Sequence, residues 1–144
     1  MTNSRVNPIA VVVAGVAYWV VQAGWYTAFA QQWMAGTGRS LTELQQGGAA
    51  TRYVIALICD IAVAYGVSWV TGRTGERTAT RGVQTGAWLW LAFVVTLLAT
   101  DYGFENRPLS FFLINAGAPL VGMVVVGAIV GAWRIKALVP SVAS

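Results

Sequence analysis

The sequence contains no histidine, so the commonest general base and the commonest transition-metal ligand are both missing. A single cysteine, Cys59, excludes an internal disulfide and a paired-cysteine metal site. Because Cys59 lies inside an apolar run, it is expected to be a small buried hydrophobe. Charge is scarce as well: 10% of the 144 residues are charged, where soluble domains carry roughly 25%. Alternating apolar and polar segments of strand length are also lacking, which argues against a membrane barrel.

What remains is apolar. Such residues make up 57% of the chain, more than one soluble core of this size can enclose. Lipid accommodates that surface. The net charge of +4 does not point to nucleic acid, because the basic residues sit at the ends of apolar runs rather than among solvated aromatics.

A spanning helix needs about 20 mostly apolar residues. Four runs qualify: 8–34, 53–71, 82–100 and 109–133. The expected fold is therefore an all-α bundle of four transmembrane helices joined by short loops, forming one membrane domain over 1–144. The first run contains Ala28-Phe29-Ala30, which resembles a signal cleavage site, but it exceeds the length of a signal core and is expected to be retained. Pro8 and Pro108 suit the entry to a helix, whereas Pro119 falls inside the fourth run and predicts a kink. Ser40 and Glu43 match a capping box, which would open a surface turn ended by Gly47-Gly48.

Positive charge favours the cytoplasmic side. Arg5, then Arg73, Arg77 and Arg81, then Arg134 and Lys136 fall on one side of this topology; Arg39, Arg52 and Arg107 fall on the other with Glu43, Asp101 and Glu105. Both termini are expected in the cytoplasm, with the chain integral to the inner membrane. The tail from Val139 to Ser144 is expected to fray.

Lipid gives helices no hydrophobic reason to associate, so small and polar residues must join them. Gly127 and Gly131 in the fourth run, and Gly82 and Gly86 in the third, supply such spacings. They either pack the four helices of one chain or pair two chains. In the second run, Ala56, Asp60, Ala64, Ser68 and Thr71 fall on one stripe.

Asp60 is the residue that most requires a reason, since an acid at helix centre costs about 2.5–3.5 kcal/mol on insertion scales. Rises of about 1.5 Å per residue put Asp60, Asn115 and Thr96 roughly 8–12 Å inside the outer ends of their helices. Tyr26 reaches a similar level, and Gln22 is deeper. These groups either line a cavity where Asp60 binds a proton or cation, or they form interhelical bonds, with Asn115 or Thr96 as partner to Asp60. Asp101, Glu105 and Arg107 form a second charged cluster, read as an ion pair in the outer turn, with a gate or docking surface as the alternative.

Several motifs occur in a definite order. Asn7-Pro8 is followed by Gly24-Trp25-Tyr26 and Trp33-Met34. Phe104-Glu105-Asn106-Arg107-Pro108 then leads to Leu113-Ile114-Asn115-Ala116-Gly117, and the last run closes with Gly127-Ala128-Ile129-Val130-Gly131-Ala132-Trp133. In this order and spacing, over residues 7–134, the chain resembles the bacterial integral membrane proteins of the domain of unknown function 1761 family. The resemblance implies four spans and carries no established activity. Many members have Tyr-His after the Asn-Ala-Gly motif; Ala118-Pro119 stand there in this chain, so no chemistry of that histidine is implied. The resemblance favours Tyr26, Glu105, Arg107 and Asn115 as shared residues, and Asp60 belongs to none of its motifs.

The residues leave an accessory or structural subunit of a larger membrane assembly as the first expectation. It predicts exposed aromatics such as Trp19 and Trp90 lying against other subunits. The alternative is a small homo-oligomeric transporter or channel for a proton, cation or small solute. No convergent catalytic set is visible, so neither an enzyme nor a cofactor or metal is expected. Membrane lipid is the one partner common to both readings.

Overall fold

The computed structural model describes residues 5–133. Arg134, Lys136 and the segment from Val139 to Ser144 lie outside the described residues. The described chain is all-helical: α1 (Pro8–Ala28), α2 (Ala30–Thr37), α3 (Leu41–Gln45), α4 (Ala49–Arg73), α5 (Ala79–Leu89), α6 (Thr96–Phe104) and α7 (Leu109–Ala132), with a π-helical segment, Trp90–Val95, joining α5 to α6. Four helices are long and apolar enough to cross a membrane: α1, α4, the continuous Ala79–Phe104 and α7.

Helix α1 starts where Asn7 caps it, its side-chain oxygen accepting from the Ile9 and Ala10 amides, with Pro8 in the first turn. It ends earlier than the apolar run suggested. Phe29 leaves helical geometry (φ −104°, ψ 21°) and α2 starts afresh beyond it. The Phe29 ring packs on Trp25, and α2 is held against α7 by two bonds described below. Charge counting could not see this break, because Gln31 and Gln32 are polar without being charged. The other spans run slightly past their expected ends, to 49–73 and 79–104, while the fourth stops one residue short.

Between α2 and α4, Ser40 accepts from the Glu43 amide and the Glu43 carboxylate accepts from the Ser40 amide, forming the reciprocal cap of α3. The Ser40 amide, and after it the hydroxyl, hold the Glu43 carboxyl below the usual carboxylate range. Gly47 and Gly48 then take positive φ (94° and 87°), a conformation open to glycine at little cost, and turn the chain into α4.

Helix α7 is the centre of the bundle. It packs against α1, α4 and α5, and 44% of its most apolar window is buried, against 17% for Ala79–Phe104. The core joins Val11, Ala14 and Tyr18 of α1, Ala64 and Val67 of α4, and Met123, Val126 and Val130 of α7. The small-residue stripe of α4 points the same way: Asp60, Ala64, Ser68 and Thr71 are buried.

Gly82 and Gly86 of α5 lie directly on Gly127, Gly131 and Met123 of α7. A methyl group on Gly82 would overlap the Gly127 carbonyl, one on Gly127 the Gly82 carbonyl, and one on Gly131 the Thr78 carbonyl. Both spacings of four are therefore consumed within one chain, rather than left on the outside to pair two chains. Cys59 faces outward and is exposed, contrary to the expectation of burial, because the buried face of α4 runs through Asp60 and Ala64 instead.

At the end of the bundle that carries Arg5, Arg77 acts as a clasp. Its guanidinium donates to the Ser68 hydroxyl and carbonyl (3.2 and 3.1 Å), to the Arg5 carbonyl (3.1 Å) and to the Val130 carbonyl (3.5 Å). It thus joins the approach to α1, the end of α4 and the end of α7. Burial lowers its basicity from the ordinary arginine value. The sequence marked Arg77 only as one positive charge among several.

Candidate functional site

The intramembrane polar residues separate into two groups, both anchored on α1. The first lies between α1 and α4. Gln22 donates its Nε2 hydrogen to Asp60 Oδ1 at 3.0 Å. Asp60 is 3% exposed, and its Oδ2 is buried without a hydrogen-bond partner. Buried Tyr18 stands one turn before Gln22 and within electrostatic reach of Asp60. The expected partners of Asp60 are elsewhere. Thr96 is exposed and its hydroxyl donates back to the Ala92 carbonyl at 2.6 Å. Asn115 is engaged by other residues. Gln22 lies one turn along α1 from the Tyr26 that reaches Asn115, so Asp60 sits about a turn away from the level of Asn115 rather than beside it, and Thr96 faces away from the bundle.

The second group surrounds Asn115 on α7. Tyr26 Oη and Trp33 Nε1 both donate to Asn115 Oδ1, at 3.1 and 3.2 Å, and Asn115 Nδ2 donates to the Phe111 carbonyl at 2.9 Å. Its carboxamide thus ties α1 and α2 to α7. Two further indoles converge on the same stretch: Trp25 Nε1 donates to the Ile114 carbonyl (3.0 Å) and Trp90 Nε1 to the Ala116 carbonyl (2.7 Å). Gly117 makes room for Trp25, since a Cβ there would lie 2.6 Å from its ring. Pro119 has no N–H for the Asn115 carbonyl four residues earlier, yet α7 runs on as one helix from Leu109 to Ala132. The indoles donate to the carbonyls of the residues on either side of Asn115.

The tryptophan assignments change accordingly. Trp90 is half-buried and bonded within the chain, and Trp19 donates to the Tyr53 carbonyl at 3.2 Å with its ring edge-on to Tyr53. Neither presents the free flank expected of it. Aromatic residues alone could not show this, because tryptophan serves both a membrane interface and a buried donor role.

Beside Asn115, the third span leans away from α7 and opens a cleft of ≈ 350 Å³ lined by Tyr26, Val94, Leu97, Leu98, Tyr102, Asn115 and Pro119. Tyr102 stacks on Phe111 at the end of the cleft nearest the turn between α6 and α7, with ring centroids 5.3 Å apart.

In the turn between α6 and α7, Arg107 pairs with Glu105 at 2.8 Å and donates to the Gly36 carbonyl at 2.9 Å. Asp101 is not in this ion pair; its part in the turn is a backbone carbonyl that accepts from the Glu105 amide. Asn106 takes positive φ (52°) to close the turn. Arg107 therefore ties α2 to the start of α7 from outside, as Trp33 does from within.

Residues 9–131 match the family described as protein of unknown function, DUF1761. The chain belongs to that family. No curated protein and no solved structure matches the chain. The motifs that carried the resemblance to this family are the residues the fold brings together: Asn7 caps α1, Trp25, Tyr26, Trp33 and Asn115 meet on α7, and Arg107 closes the turn beside them. Asp60 and Gln22 stand apart from those motifs.

Proposed function

We propose that this membrane protein is a structural or accessory subunit of a larger assembly in the cytoplasmic membrane, with both termini in the cytoplasm and no catalytic role. The observation that supports this most is how the polar groups are used. Asn115 makes three hydrogen bonds, each inside the chain. The glycine stripes close on one another. Groups spent on interhelical bonds serve the rigidity of the bundle. The outward face of the third span, with Trp88, Phe93, Leu97 and Phe104 exposed, is then the apolar surface offered to lipid and neighbouring chains. The orientation rests on charge: Arg5, Arg73, Arg77 and Arg81 share one end.

Native mass spectrometry of the protein released gently from its own membrane tests this reading. Stoichiometric association with unrelated chains is expected. A symmetric oligomer of this chain alone would overturn it. Labelling Thr42→Cys from the outside of intact cells tests the orientation; Cys59, within a span, is shielded from aqueous reagents.

One observation favours a second reading, proton or small-cation transport: the buried Asp60 Oδ2 has no hydrogen-bond partner, and intramembrane acids are commonly functional. Under that reading an Asp60→Asn variant in proteoliposomes loses flux. Under the structural reading the wild type carries none.

A further inference from the structure

The end of the bundle that carries Arg5 holds a second cleft, of ≈ 230 Å³, between the end of α4 and the length of α5. Arg81, Gln84, Thr74 and Thr85 line it together with Val70, Trp88 and Leu89. The two sets differ in kind. Arg81 brings a cation; Gln84 and the two threonines bring hydrogen-bonding groups; Val70, Leu89 and the 69%-exposed Trp88 form an apolar wall.

Arg81 is held in place at the cleft. Its Nη1 donates to the Thr74 carbonyl at 2.9 Å, and its guanidinium lies against Gly75. A second cation, Arg73, sits 4.3 Å from the centre of the Trp69 ring at the same end of α4. Glu76 is the one acid in the connection between the two helices. A positive, hydrogen-bonding mouth continuous with an apolar wall, on a helix pair that spans a membrane, matches one kind of molecule: an amphiphile with an anionic head and an acyl tail.

We infer that this cleft is a binding site for an anionic phospholipid, its phosphate held by Arg81 with Gln84, and its acyl chain lying along Val70, Trp88 and Leu89. The site is independent of Asp60, Asn115 and the proposed assembly role. A basic residue near a membrane surface contributes about a fivefold preference for anionic lipid.

The test is native mass spectrometry of the full chain released from vesicles of phosphatidylglycerol or of phosphatidylcholine. Retention of one phosphatidylglycerol per chain is expected, with phosphatidylcholine lost. Arg81→Gln should reduce that retention about fivefold. Trp88→Ala, at an exposed position, should reduce it while leaving the helical circular dichroism unchanged. Arg39→Gln, at the opposite end, should leave it unaltered. Excess inorganic phosphate should not displace the lipid. Equal retention of the two lipids, retention unchanged by Arg81→Gln and Trp88→Ala, or displacement by phosphate would each overturn the site.

Discussion

The two halves of the third span are held in opposite ways. From Ala79 to Leu89 it lies on α7 with almost nothing between the backbones, because glycine faces glycine. From Trp90 the helix passes into a π-helical segment, and α6 departs from α7, leaving the cleft beside Asn115. The first half is joined by missing side chains. The second is joined by large ones, with Trp90 reaching the Ala116 carbonyl and Tyr102 stacking on Phe111. In lipid the two devices answer the same difficulty, since apolar surface alone cannot drive helices together. Backbone contact gives the closer fit and tolerates no substitution. Side-chain bonds leave space between helices.

That contrast predicts a ranking of damage. Gly82→Val should be the most harmful, because its Cβ meets a backbone carbonyl that cannot rotate away. The loss in steric trapping or detergent unfolding should be about 3 kcal/mol or more, at the upper end of overpacking costs. A variant that unfolds like the wild type would remove the glycine contact from the account. Asn115→Ala leaves the Tyr26 hydroxyl and the Trp33 indole without their acceptor. Bonds of this kind average about 0.6 kcal/mol in membranes, so a loss of about 1–2 kcal/mol is expected in the same assay. Trp90→Phe keeps the ring and removes one donor, which should cost about 0.6 kcal/mol. If Trp90→Phe proves worse than Gly82→Val, the contrast between the two halves is reversed.

The smallest effect concerns α3. Its Glu43 carboxyl is held below the ordinary value of 4.5 by hydrogen bonds from Ser40. A depressed carboxyl stabilises its cap above the unfolded value, and that support is lost as pH falls through the folded value. Amide exchange across Leu41–Gln45, corrected for its intrinsic pH dependence, should therefore rise as pH drops below the ordinary glutamate range. Glu43→Gln should remove this dependence.

How much of this could be read beforehand depends on geometry. Span number followed from length and charge, because the cost of leaving backbone and ions in lipid is large. The glycine spacings were visible, but which glycines meet was not: a spacing of four states a face, not the facing helix. Asp60 shows the same limit. Counting residues set it level with Asn115 and Thr96, yet its partner is Gln22, one turn along α1 from the Tyr26 that reaches Asn115. The break at Phe29 was hidden by an uncharged run. Trp25 and Trp33 stood out only as motif residues and Trp90 as an exposed aromatic, although their indoles serve the backbone and side chain of α7 around Asn115.

The central claim is that polar side chains inside the spans bind this bundle together. A double-mutant cycle on Tyr26→Phe and Asn115→Ala, read by unfolding in detergent, tests it most directly. The predicted coupling is about 0.6 kcal/mol and up to about 1.7 kcal/mol. Additive effects, with no coupling between the two positions, would contradict it.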